Sequence, residues 1–243
     1  KPLQALREHG FALRKNKDIE GAIFIFRAIL ERFPTLLQSW MDLGHVLRKA
    51  DRTDEAKLAY QKLLDRFPDD AEKGIEATGA LKKLGHTAEA LKYEQALVER
   101  FPKDARLQLA LGETFQKLGM RKEALESYLN AFDRRDIHVG LLTKAAIAIS
   151  EFLPPSDSTR IFSEVLDRFP KEMGPRKLLA GHYLRKGDVQ SAISAYKDII
   201  SLNSADLKAR LALAQILANS GDLPGAIDLY RKHSILVVNV TFF

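Results

Sequence analysis

Cysteine is absent from all 243 residues. That excludes a disulfide framework and a thiolate metal site, and it fits a reducing compartment, so the expected location is cytoplasmic. No apolar run approaches the roughly 20 residues that a membrane-spanning helix needs. No apolar leader with a cleavage site opens the chain either. Because the chain starts at Lys1, without methionine, the natural N-terminus is expected to lie upstream, and targeting stays open. The six histidines (9, 45, 86, 138, 182 and 233) never stand four apart, so no helical zinc-ligand pair is present. Neither G-x-G-x-x-G nor a P-loop pattern occurs. Charge of one sign never gathers: 38 basic and 32 acidic residues leave a formal charge of +6, with both signs interspersed. A phosphate-tracking surface needs clustered Lys and Arg. These absences predict no catalytic residue, metal or cofactor, and neither a nucleic-acid nor a membrane partner.

What the chain does have is a period. The tripeptide Arg-Phe-Pro stands at 32–34, 66–68, 100–102 and 168–170, so Pro34, Pro68 and Pro102 are thirty-four residues apart. A fixed period of this size is the mark of a repeat architecture. Within residues 37–70, Trp40, Leu43, Gly44 and Leu47 are spaced to share one helical face, and Ala56, Ala59, Tyr60, Leu63 and Leu64 share another. The residue before proline is pushed out of the helical region, so Phe67-Pro68 ends the second helix. Small residues recur where two helices must approach closely: Gly10, Gly44 and Gly112 on first helices, Ala22, Ala56, Ala90 and Ala124 on second helices. Large residues answer them, among them Phe26, Tyr60 and Tyr128, with Glu94 as the exception. Gly85, Gly119, Gly187 and Gly221 fall where a left-handed residue closes a helix. Asp18, Asp188 and Asp222 fall where the next helix needs an N-cap.

Trp40, Leu43, Gly44, Leu47, Ala56, Tyr60 and Pro68 together resemble the tetratricopeptide repeat. Seven copies fit in register at 3–36, 37–70, 71–104, 105–138, 139–172, 173–206 and 207–240. The resemblance implies an all-α fold, a right-handed superhelix of seven antiparallel helix pairs. It also implies a non-enzymatic scaffold whose concave groove, lined by first helices, takes a peptide or a partner protein. Three copies depart from the pattern. The third has Gly74 where Trp40 stood in the second, and Glu94 in the aromatic column. The fifth carries Pro154-Pro155 between its helices, read as a rigid turn. The fourth ends without Phe-Pro, which marks 133–138 as a place where curvature can change.

By the same resemblance, the groove-facing places are Arg7, Met41, Ile75 and Leu109 in one column and Phe11, His45, Gly79 and Glu113 in the next, with Asp42 beside them. Met41, Ile75 and Leu109 form an apolar stripe that either seats a partner's side chains or packs neighbouring first helices together. Arg14-Lys15, Arg48-Lys49, Lys82-Lys83 and Lys117 end the same helices, where cations complement the helix dipole by about 0.3–1 kcal/mol each. Two specialised family sites are absent by residue. The clamp for a C-terminal carboxylate would need Lys and Asn where Arg7, Phe11, Asp42, Glu72 and Glu76 stand. The asparagine ladder of the O-linked N-acetylglucosamine transferases is replaced by Glu8, Asp42, Glu76, Ala110, Lys144, Leu178 and Ala212.

The last residues, Ser234 to Phe243, are β-branched, aromatic and continuously apolar, a pattern that reads as a buried strand. The run resembles the first strand of a nucleotide-sugar glycosyltransferase. That implies a second reading, in which the array is the N-terminal module of a larger enzyme and positions an acceptor or partner. The other readings of this tail are an unusual cap or self-association through a strand edge.

Overall fold

The structure, a computed structural model, describes residues 2–240, including all side chains except those of Pro155 and 232–240. The described residues form fourteen α-helices and no strand. In chain order they are α1 (Pro2–Lys15), α2 (Ile19–Arg32), α3 (Leu37–Lys49), α4 (Thr53–Arg66), α5 (Ala71–Lys83), α6 (Thr87–Arg100), α7 (Ala105–Lys117) and α8 (Arg121–Phe132). They continue as α9 (Val139–Ser150), α10 (Pro155–Arg168), α11 (Met173–Arg185), α12 (Val189–Leu202), α13 (Leu207–Asn219) and α14 (Leu223–Val240). From Ile19 onward every second helix starts thirty-four residues after the previous one, and so does every first helix from Leu37. The period read from Arg-Phe-Pro is therefore the period of the fold.

The helix ends have local causes. Phe33, Phe67, Phe101 and Phe169 each close a second helix by donating the backbone N–H to the carbonyl four residues back. The Asp18 carboxylate accepts from the Gly21 N–H at 2.9 Å, Asp188 from Ser191 at 3.1 Å and Asp222 from Gly225 at 3.0 Å, as N-caps do. Asp70 and Asp104 cap α5 and α7 in the same way. The turn after the first helix needs a left-handed residue. Gly85, Gly119, Gly187 and Gly221 supply it at φ of 88°, 76°, 75° and 91°, while Lys17 and Asp51 take the same place in the first two copies at 66° and 56°. Pro154 caps α10 and Pro155 is its first residue.

The chain divides into two compact units, Lys1–Ile137 and His138–Phe243. The division falls at the irregular junction of the fourth copy. In the first unit a continuous core runs from Ala22 through Phe26, Trp40, Leu47, Tyr60, Leu63 and Leu81 to Ala90. Close approach of paired helices depends on missing side chains. A Cβ at Gly44 would lie 2.5 Å from the Tyr60 ring, and one at Gly112 would lie 2.6 Å from the Tyr128 ring. The second unit repeats the scheme with alanine: Ala180 packs with Ile199 and Ala209, and Leu213 and Leu217 pack with Ala226.

The C-terminal run departs from the strand expectation. Residues 234–240 continue α14, and 241–243 lie outside the described residues. Extending an existing helix needs no new nucleus, and β-branched residues cost only a few tenths of a kcal/mol each, so intrinsic strand preference is overridden. The resemblance to a glycosyltransferase strand, and self-association through a strand edge, lose their basis with it.

Candidate functional site

The predicted groove residues lie on the first helices α1, α3, α5 and α7, of which α5 touches α7. They do not all remain available. Met41 is fully buried and Leu109 is 7% exposed, so two of the three residues of the expected apolar stripe are packing. The reason is visible on α3, where Ser39 to Gly44 are six consecutive buried residues. A helix enclosed on all sides has no free apolar face to offer. Ile75 stays half-buried.

Asp42 is likewise engaged. It is 5% exposed and accepts from Arg7 Nη2 at 2.7 Å, Arg7 Nε at 3.1 Å and Gln38 Nε2 at 3.1 Å. This charge-assisted fork ties α1 to α3. Arg7 also lies 5.7 Å from the Phe11 ring centroid, and Arg14 lies 5.2 Å from it on the same half-buried ring. His45 meets Tyr60 edge-on at 5.9 Å. Burial lowers the His45 pKa below its usual value, opposed by the nearby Glu76 carboxylate. Glu113 is exposed. Between His45 and Glu113 in the same column, Gly79 faces open space: a Cβ there would meet nothing within 4 Å.

The column of Arg48, Lys82 and Gln116 near the helix ends does more than complement dipoles. Gln116 accepts from the Tyr128 hydroxyl at 2.8 Å. Arg48 lies beside the Tyr60 hydroxyl without a complete hydrogen bond, while burial pushes that phenol up to about 12. In the third copy the equivalent residue, Lys82, is 2.9 Å from the carboxylate of the wholly buried Glu94. Lys82 also donates to the Thr114 hydroxyl at 2.9 Å and the Ala110 carbonyl at 3.3 Å. The Thr114 hydroxyl contacts the second Glu94 oxygen, and Thr78 stands where Gly44 and Gly112 stand in the flanking copies. Burial raises the Glu94 pKa, opposed first by Lys82. The Glu94 exception is legible in the sequence. Its partner Lys82 was signalled only by twelve-residue spacing, shared with Arg48–Tyr60 and Gln116–Tyr128.

This arrangement is built to hold shape and offer surface. Among the described residues, no three His, Cys, Asp or Glu side chains are placed to hold a metal ion. No described helix is long and apolar enough to cross a membrane.

Tetratricopeptide repeat family models match residues 13–73 and 160–234, together more than half of the chain. The chain is a tetratricopeptide repeat protein. Solved structures agree on the fold. The C-terminal part of a tetratricopeptide repeat-containing protein from Cytophaga hutchinsonii is 15% identical with a TM-score of 0.62, and the match covers 95% of each chain. A tetratricopeptide repeat protein from Parabacteroides merdae is 16% identical with a TM-score of 0.57, covering 96% of this chain and 93% of that one. At such identities the likeness concerns the fold alone. No curated protein matches the sequence. For this tetratricopeptide repeat protein, function therefore rests on which side chains the array leaves exposed.

Proposed function

We propose that the chain is a non-catalytic interaction scaffold that receives a peptide, or an extended segment of a partner protein, on the first-helix face of residues 2–137. Phe11 with its two flanking arginines, His45, Ile75 and Glu113 border the seat, and Gly79 is its opening. Met41, Asp42 and Leu109 support this face from beneath.

The observation that carries this reading is Gly79. A mid-helix glycine costs about 1 kcal/mol relative to alanine. Gly10, Gly44 and Gly112 have a packing reason, since a Cβ at each would press on an aromatic ring. Gly79 has none, which leaves access for a ligand backbone as its use.

Selection from a displayed library of random dodecapeptides, run on the whole chain, tests this. Peptides seated over Gly79 should be lost on Gly79→Leu and on Ile75→Glu, while the helical circular-dichroism melt is retained. If no selected peptide depends on either position, the first-helix face is not the binding surface.

A further inference from the structure

A second surface lies in the same unit. Between α2 and α4, a cavity of about 340 Å³ opens over the chain's one tryptophan. Trp40 and Leu43 of α3 form its floor, Leu30 its α2 wall and Leu58 its α4 wall. The indole is held in place by its N–H, which donates to the Pro34 carbonyl at 2.9 Å. Leu58 is 54% exposed, and Phe24, at the equivalent place on α2, is 71% exposed. Leu58 lines the cavity itself, and apolar surface rimmed by polar residues marks an interaction site.

Charge decides what would cover it. At one end, Arg27 is engaged by Glu55, which also accepts from Arg52, so that end is neutralised. At the other, Lys62 Nζ lies 5.4 Å and Arg66 Cζ 5.6 Å from the Trp40 ring centroid. Both are exposed, and among the described residues neither takes part in an ion pair of the first unit. Cations over an aromatic face keep most of their hydrogen-bonding capacity for a second, anionic partner. With Arg27 and Glu55 paired, Lys62 and Arg66 outnumber Glu31 on the rim, which stays positive.

We infer that this outer cavity docks a partner-protein segment in which a large apolar side chain stands beside a carboxylate. The apolar group enters over Trp40, Leu30 and Leu58, and the Asp or Glu meets Lys62 and Arg66. The site is separate from the first-helix face, so one chain can hold two segments at once. An aliphatic or aromatic anchor beside a charge-assisted pair is a small hot spot of the kind that dominates interface energetics.

Trp40 reports on its own cavity. Dodecapeptides selected on the whole chain are resynthesised without tryptophan and titrated while the Trp40 emission is followed. The expected result is a set of acidic-apolar peptides that shift the emission saturably. Lys62→Glu with Arg66→Glu should weaken them at least about tenfold, whereas Gly79→Leu should leave them unchanged. Both substituted residues are exposed, and the neutral pair Lys62→Gln with Arg66→Gln should lie between wild type and charge reversal. The assignment is overturned if no acidic-apolar peptide is enriched, if the emission does not change, or if charge reversal has no effect. Peptides lost on Gly79→Leu alone would belong to the first-helix face. An emission change on raising the protein concentration alone would assign the cavity to a second copy of the chain and equally overturn the proposal.

Discussion

Replacing Glu94 tests whether the third repeat is held by a buried ion pair that takes the place of the ring-on-glycine contact used by its neighbours. Glu94 is fully buried and its partner Lys82 has a side chain only 6% exposed. Glu94→Gln keeps the shape but leaves the ammonium with only neutral acceptors, and stranding one charge of a buried pair typically costs about 3–5 kcal/mol. Glu94→Tyr should be no better. Thr78 occupies the space that Gly44 and Gly112 leave free within about 2.6 Å of a tyrosine ring, so the ring overpacks while Lys82 stays unpaired. The triple variant Thr78→Gly, Lys82→Gln, Glu94→Tyr reproduces the fourth repeat, where Gln116 accepts from Tyr128. Exchanging a buried ion pair for a packed apolar group is often neutral or stabilising by about 1–4 kcal/mol, against about 1 kcal/mol for the added glycine. The triple should therefore equal or exceed wild type, although its single components are damaging, a coupling expected of residues in one network.

Urea unfolding followed by helical circular dichroism measures this. Hydrogen exchange at α5, α6 and α7 localises the effect, because arrays couple mainly to nearest neighbours. A Glu94→Gln variant within about 1 kcal/mol of wild type, far below the cost of stranding a buried charge, would refute the ion-pair account. A triple variant as unstable as Glu94→Tyr alone would refute the exchange of one packing solution for the other.

Four further outcomes follow from named contacts. Gly79→Ala should stabilise by about 1 kcal/mol, and Gly44→Ala should destabilise because its Cβ meets the Tyr60 ring; thermal melts with equal shifts of one sign would refute the packing distinction. Lys17→Gly and Asp51→Gly relieve positive φ in non-glycine residues and should each raise stability by up to about 1 kcal/mol, read as higher urea midpoints. Asp70→Ala removes the cap on α5 and should cost about 1 kcal/mol, with amide exchange rising first at Lys73, whose N–H it accepts from. His45 and His182 both have pKa values lowered by burial, so the stability they share is complete above about 6.5 and is lost as pH falls through their lowered values; His45→Gln should flatten that loss.

The fold was legible because a solenoid repeats its instructions. Columns such as Gly44 with Tyr60, the Asp caps and the Phe before Pro each state a local geometric need, and each recurs in register. The candidate site was less legible, for a physical reason. Two adjacent residues on α3, Met41 and Asp42, differ from their column mates, and individuality invites a functional reading. Both are buried, Met41 in the seam between helices and Asp42 under the Arg7 fork. Facing between neighbouring helices depends on how far each helix is enclosed, which periodicity along one helix does not encode. The strand expectation at 234–240 failed differently, because intrinsic preference spoke where continuity with α14 decided.

Departure from the repeat pattern is therefore not enough to mark a binding residue, since Glu94 departs most and serves the core. What discriminates is departure together with an unmet physical need. Gly79 gives up helix stability without a packing return. Lys62 and Arg66 hold positive charge over an aromatic floor, and among the described residues neither enters an ion pair. The first need lies on α5 and the second on α4. Neighbouring helices of a stacked array can carry separate needs, because the shared small and large columns already supply the packing that holds repeat to repeat.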